Sequence, residues 1–250
     1  MLPYFIFDQF SIGPVVVRTW GLLVGLGFCV GYFWLLDQAR KKSLDPVKII
    51  WLSLVIFIGA IFGSRLFYLL QAPQRFLNDV SLLWSVNGGS MFFGGLVGAI
   101  FFGWLYIKWV KLDFWQIADL AAPGVALGMG IGRIGCLLIN DHQGAPTGLP
   151  WGISWPDGIV RHPVALYEAL AGFLLFVLLW WLKDKLTKPS QLFLTFLAGY
   201  SVIRFLLDFL RASQGYLADP RWGIFTVSQW LTLFVLIIVC ALFLLRKVVR

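Results

Sequence analysis

Seven apolar runs, each near the ~20 residues a helix needs to cross a lipid bilayer, follow one another along this 250-residue chain. In hydrocarbon every backbone N–H and C=O must be bonded within its own segment, so such runs dictate helices. The runs lie at about 15–36, 48–70, 90–110, 114–137, 163–183, 191–211 and 226–246. Composition agrees, with 60% hydrophobic and 13% charged residues, where a soluble domain carries about a quarter charged. The expected fold is an all-α integral membrane protein of seven transmembrane helices, forming one polytopic domain over 1–250 with no internal repeat.

The net charge of +8 does not point to nucleic acid, because the basic residues sit in short clusters between the apolar runs. One side collects Arg40, Lys41, Lys42, Lys48, Lys108, Lys111, Lys183, Lys185, Lys188, Arg246, Lys247 and Arg250; the other has Arg18, Arg75, Arg161, Arg211 and Arg221. Basic residues concentrate on the cytoplasmic side, which places the N-terminus outside and the C-terminus inside. The opening MLPYFIFDQFSIGP has no basic start and carries Asp8, so it reads as a short interfacial segment. The long connections Gln71–Gly89 and Leu138–His162 are expected to be ordered caps over a site. Cys29, Cys136 and Cys240 are isolated, and no Cys/His spacing marks a metal site or a disulfide framework.

The chemistry lies in arginines set within the apolar runs. At 1.5 Å per residue from the cytoplasmic end, Arg65, Arg133 and Arg204 lie about 25, 30 and 20 Å along their helices. A guanidinium keeps its proton, so at such depth it needs an anion, water or a cavity. Converging guanidiniums suit a phosphate, which they grip bidentately, and an outer-leaflet phospholipid supplies one. Local pairing is the alternative: Arg204 and Asp208 are one helical turn apart, Arg211 follows, and Glu168 and Asp119 can serve the others.

Arg133 lies in GVALGMGIGRIGCLLINDHQG, whose glycines permit close approach of helices or a ligand. Gly130, Gly132 and Gly135 fit the G-x-G-x-x-G nucleotide pattern, but without a βαβ context it carries no weight. The stretch from Asn87 to Gly95 reads either as a helix start packed through small residues or as a backbone-lined wall of a lipid site. Arg161, His162 and Pro163 open the fifth run, and Pro suits a first helical turn. His162 and His142 are candidates for proton transfer or for structural hydrogen bonds. Trp180, Trp181, Trp222 and Trp230 suit interfacial anchoring.

Taken in order, FSIGP, Trp20-Gly21, GSRLFY (63–68), GGSMFFGGLVG (88–98), GRIG (132–135), RHPVALYE (161–168), IRFLLDFLR (203–211) and Ser228-Gln229 resemble the bacterial prolipoprotein diacylglyceryl transferases over the whole chain. That resemblance implies a multi-pass enzyme of the bacterial cytoplasmic (inner) membrane, with a site open to the outer leaflet. It implies transfer of the diacylglyceryl group of phosphatidylglycerol to the lipobox cysteine thiol of prolipoprotein signal peptides, releasing glycerol phosphate, with no metal or dissociable cofactor. The family signature G-R-x-G-N-F-x-N-x-E-x-x-G is met by Gly132, Arg133, Gly135 and Gly144. Cys136 and Ile139 replace its two asparagines, and Asp141 its glutamate. Phe93 stands where the family usually has histidine, and Trp20 where it has tyrosine.

The expected catalytic residues are Arg133 and Arg204, binding the phosphate, with Asp141 or His162 assisting deprotonation of the thiol. Arg65, Arg211, Gly94, Gly95, Gly132, Gly135, Gly144, Trp20 and Phe93 join Arg133 and Arg204 in substrate binding. The alternative is a diverged member that binds lipid, or assists in the membrane, without transferase activity.

Overall fold

The computed structural model describes residues 1–71, 73–74, 91–213 and 218–248. Most of Gln71–Gly89, with Arg75 and the Asn87–Ser90 start of the glycine motif, lies outside them, as do Lys247's side chain and Arg250. The helices are α1 (Thr19–Lys41), α2 (Pro46–Gln71), α3 (Phe92–Trp109), α4 (Phe114–Ile139), α5 (Val164–Leu182), α6 (Gln191–Leu207, prolonged by a 3-10 turn, Asp208–Leu210) and α7 (Val227–Val248). Among the described residues six of these are long and apolar enough to cross a membrane, while α3 contributes the shorter apolar helix Phe93–Trp109. Phe33, Ile58, Leu174 and Ile237 are each more than 60% exposed, a pattern that a lipid environment accommodates and water does not.

The first run differs from its expected start at residue 15. Gln9–Ile12 (β2) and Val15–Arg18 (β3) form an antiparallel hairpin, and the helix begins only at Thr19. Gly13 turns the chain with φ +60°, and three successive valines favour extended backbone over helix. At its other end α1 continues past residue 36, where Asp37 pairs with Lys41 one turn on, at 2.5 Å.

The chain forms two compact units, Leu35–Ile117 and the pairing of Met1–Trp34 with Ala118–Arg250. In the first, α2 and α3 cross through glycines. A Cβ on Gly98 would lie 2.9 Å from the Gly63 Cα, and one on Gly59 would meet the Gly98 carbonyl oxygen at 2.9 Å. The spacings Gly59/Gly63 and Gly94/Gly98 are the small-xxx-small pattern of tightly packed membrane helices. Gly95 faces Ala60 across the same crossing. Asp45, before Pro46, accepts the Val47 N–H at 2.9 Å, and Asp113 accepts that of Gln116 at 2.6 Å. Both act as N-caps for the helices that follow.

In the other unit, α4 presents glycine on two faces. Gly124 and Gly128 meet Gly31 and Gly27 of α1, so that a Cβ on Gly31 would stand 3.3 Å from the Gly124 oxygen. On the second face Gly130 meets Gly172 of α5, where an added Cβ would reach the Gly130 Cα at 2.9 Å. Below that crossing Ala122, Ala126, Leu175, Leu179, Leu192 and Phe196 form the buried core of α4, α5 and α6. Asp119 of α4 caps α6, accepting the N–H groups of Ser190 at 2.6 Å and Phe193 at 2.8 Å.

The connection Leu138–His162 is ordered. Asn140, left-handed at φ +48°, ends α4 and donates from its side chain to the Phe5 carbonyl at 2.5 Å. Ile153–Ser154 (β4) then lies between Leu2–Pro3 (β1) and Val160–Arg161 (β5). Isolated bridges add Pro146 to Arg161 and Gly144 to Arg211. Arg221–Trp222 (β6) and Phe225–Thr226 (β7) form a last hairpin leading into α7.

Because Gly172 is met by backbone, which cannot rotate aside, Gly172→Leu is expected to lower stability by about 2 kcal/mol or more. Thermal unfolding in detergent checks this, with Gly148→Ala, in open space, expected to leave the transition unmoved.

Candidate functional site

The Gly130–Gly172 crossing sets the register of the site. Helices α4 and α5 face each other here, Arg133 lies three residues after Gly130, and Glu168 lies four before Gly172. Both side chains therefore fall on the facing surfaces one turn beyond the glycine contact. Arg133 Nη1 reaches Glu168 Oε2 at 3.1 Å. Arg204 of α6 donates from Nη1 to Glu168 Oε1, and Arg211, just after the 3-10 turn, donates to the same oxygen at 3.2 Å. One carboxylate thus gathers three guanidiniums, one from α4 and two from α6 and the turn that prolongs it.

A second carboxylate, the fully buried Asp208, backs the cluster. Arg204 Nη2 lies 3.1 Å from Asp208 Oδ1, and Arg211 Nε lies 3.3 Å from that oxygen. Arg211 also donates from Nη1 to Asp219 at 2.5 Å. Asp208 Oδ2 accepts from Thr226 Oγ1 at 2.5 Å and from Ser228 Oγ. The two hydroxyls belong to the start of α7, where Thr226 and Gln229 form a reciprocal capping box. Gln229 N donates to Thr226 Oγ1 at 3.1 Å and Thr226 N donates to Gln229 Oε1 at 2.9 Å.

Charge in the cluster balances, three guanidiniums against Glu168, Asp208 and Asp219. The arginines differ in what they have to spare. Arg211 is 3% exposed with carboxylates on several sides, and Arg204 is 11% exposed between Glu168 and Asp208. Arg133 is 24% exposed, and beyond Glu168 it makes only a long contact, 3.9 Å from Nη1 to Cys136 Sγ. Its other nitrogens have no hydrogen-bond acceptor among the described residues. A cavity of about 30 Å³, room for a couple of waters, is lined by Arg133, Glu168 and Arg204 together with apolar side chains that include Leu175, Phe196 and Ile203.

The remaining expected residues fall around this cluster in the same unit or belong to the other one. Gly135 packs against Trp20, whose Cα would be 3.4 Å from an added Cβ, while Gly132 meets only Val24, at 3.9 Å. Asp141 pairs with His142 at 3.0 Å. Gly144 is squeezed between two backbones: it bridges to Arg211, and a Cβ there would lie 2.9 Å from the His162 carbonyl carbon. Arg65, Phe93, Gly94 and Gly95 are in the Leu35–Ile117 unit, where Gly94 and Gly95 pack α3 on α2. Asp119 serves the α6 cap rather than an arginine of the cluster.

His162 lies beside a tryptophan–tyrosine pair. Trp151 Nε1, a donor only, gives its hydrogen to Tyr167 Oη at 2.8 Å. Tyr167 Oη and His162 Nδ1 then lie 3.3 Å apart, and the phenol, with a proton to give and a second lone pair, serves either tautomer of the ring. Burial pushes the imidazole below its usual value of 6.5. Nearby, two hydrogen bonds from Arg161, at 2.8 and 2.6 Å, hold the exposed Asp157 carboxyl down at about 2. No group of three or more His, Cys, Asp or Glu side chains suited to a metal ion occurs among the described residues.

Reading the sequence alone missed the part played by Asp219, Thr226 and Ser228, and by the Trp151–Tyr167–His162 series. The Thr226-x-x-Gln229 spacing before an apolar run was a usable signal. Nothing local marked Asp219 or Trp151, whose partners are brought in by the fold.

Comparison with known proteins matches residues 8–245 to the family model described as prolipoprotein diacylglyceryl transferase. Curated relatives named phosphatidylglycerol–prolipoprotein diacylglyceryl transferase include one from Bordetella bronchiseptica, 33% identical over 231 residues (89% of this chain, 88% of the relative). Others are from Bordetella avium, 34% identical over 248 residues (93% and 92%), and Chromohalobacter salexigens, 35% identical over 231 residues (89% and 83%). The chain belongs to the prolipoprotein diacylglyceryl transferase family.

Proposed function

We propose that this protein transfers the diacylglyceryl group of phosphatidylglycerol to the lipobox cysteine thiol of a prolipoprotein, forming a thioether and releasing glycerol phosphate. The observation that carries this reading is the convergence of Arg133, Arg204 and Arg211 on the single carboxylate of Glu168. Three cations held around one anion form a site that a phosphate can enter in the carboxylate's stead. In this reading all seven helices span the bacterial cytoplasmic membrane as one polytopic domain, N-terminus outside and C-terminus in the cytoplasm. The cluster then lies near the outer leaflet.

The reaction forms a C–S bond and breaks a C–O bond at the glyceryl carbon, and the electron pair leaves with the phosphate oxygen. Arg133, with donors to spare, grips the phosphate. Arg204 steadies the charge that grows on the leaving group. The cavity is too small for a headgroup, so the side chains lining it part when one enters, and Glu168 yields its place on Arg133 and Arg204. A thiol with a pKa near 8.5 is a few per cent ionised at neutral pH, and the guanidinium field raises that fraction. Asp141, beside His142, takes the thiol proton. His162, 3.3 Å from Tyr167 Oη, hydrogen-bonds the headgroup or assists that proton transfer. Trp20, Gly132, Gly135 and Gly144 shape the near wall, while the part of Arg65, Phe93, Gly94 and Gly95 in lipid binding rests on the family resemblance alone. Arg211 holds the cluster together.

Purified protein with phosphatidylglycerol and a lipobox peptide tests the proposal. Arg133→Ala and Arg204→Ala are expected to keep a cooperative melting transition and lose at least about 100-fold in thioether formation. Full activity in both overturns the assignment, and lipid retention without glycerol phosphate release favours a binding protein. Arg211→Ala is expected to act on stability instead, costing about 3 kcal/mol, because it strips buried carboxylates of their partner.

The His162 assignment has its own check. Its folded-state value lies below the 6.5 of the unfolded chain, so its contribution to stability is complete above pH 6.5 and declines as pH falls through that value. In a His142→Gln variant the one remaining imidazole is expected to titrate below 6.5 by NMR. A value above 6.5 contradicts the buried, neutral assignment.

A further inference from the structure

The hydrogen-bond polarity at the start of α7 assigns a role to a residue outside the expected site. Each hydroxyl there has one proton. Thr226 Oγ1 accepts from Gln229 N at 3.1 Å and spends its proton on Asp208 Oδ2 at 2.5 Å. Ser228 Oγ also donates to Asp208 Oδ2. As a carboxylate, Asp208 only accepts, so neither hydroxyl can turn round. The 3.1 Å approach of Thr226 Oγ1 to Ser228 Oγ is then two oxygens drawn to one acceptor. Ser228 keeps its lone pairs for a further donor, and Arg204 Nη2 supplies it at 3.3 Å.

We infer that Ser228 is a positioning residue for Arg204, its hydroxyl linking the guanidinium to Asp208 and fixing the plane in which Arg204 faces the cavity. This rests on the reading that Arg204 serves the transfer. The guanidinium is held at two points. Nη1 is fixed by Glu168 of α5, and Nη2 by Asp208 Oδ1, at 3.1 Å, together with Ser228. When phosphate takes the place of Glu168, the first hold passes to the substrate and only the second is left to orient the group. A side chain that accepts and donates at one atom is needed for that link, which serine and threonine provide and alanine does not. Loss of the link is felt when charge develops on the leaving phosphate, more than when lipid binds.

The test measures kcat and KM for phosphatidylglycerol in Ser228→Ala, Ser228→Thr and Arg204→Ala, with melting temperatures alongside. Ser228→Ala is expected to lower kcat about tenfold, with KM for the lipid changed less than about twofold and melting unmoved, and Ser228→Thr to recover most of the rate. A Ser228→Ala enzyme with normal kcat beside an inactive Arg204→Ala enzyme overturns the inference and leaves the function standing. Equal losses in the alanine and threonine variants, or a loss confined to KM, overturn it too. Full activity in Arg204→Ala removes the reading beneath it as well.

Discussion

The structure around the site depends on one buried carboxylate. Glu168 accepts from Arg204 and Arg211 and pairs with Arg133 across from α4, and without it three guanidiniums would face one another in a medium that screens poorly. Taking so many charges out of water is costly, and their mutual attraction roughly offsets that cost. The arrangement therefore earns its place by the geometry it fixes. Three helices that otherwise meet through apolar side chains acquire a single register at this level of the bundle.

Glycine makes that register possible. With a side chain at Gly130 or Gly172, α4 and α5 would separate, and Arg133 would not reach Glu168 at 3.1 Å. The same stretch of α4 is glycine-faced toward α1, so the helix carrying Arg133 is held closely on two sides. At the other side of the cluster, the capping box of α7 orders Thr226 and Ser228, which hold Asp208, which in turn holds Arg204 and Arg211. Backbone packing and helix capping, both local effects, thereby set the directions of charged groups drawn from distant parts of the chain.

How much of this was legible in the sequence differs by feature. The apolar runs gave the helices, because burial in lipid leaves the backbone no alternative, and the helix ends at Asp45-Pro46, Asp113 and Thr226-x-x-Gln229 follow from capping chemistry. The start of the first run was misplaced, since three valines after Gly13-Pro14 are as apolar as a helix yet prefer a strand. The arginines were marked by their depth alone. Glu168 was marked as one carboxylate able to pair with them, but that all three arginines share it depends on tertiary contact between runs four, five and six. Asp119 illustrates the reverse: a carboxylate open to pairing with an arginine turned out to cap α6.

Phe93 and Cys136 depart from the motifs on which the resemblance rests, while the arginines and their carboxylates meet in one cluster. The chemistry these residues support is electrostatic: charge held in a largely buried site, ready for a leaving phosphate. The most direct measurement is an experimental map of the protein with a non-hydrolysable phosphatidylglycerol analogue. The expected result is a phosphate oxygen about 3 Å from an Arg133 nitrogen, with Glu168 drawn away from that side chain. An analogue bound elsewhere, with the Arg133–Glu168 pair intact, would contradict the account.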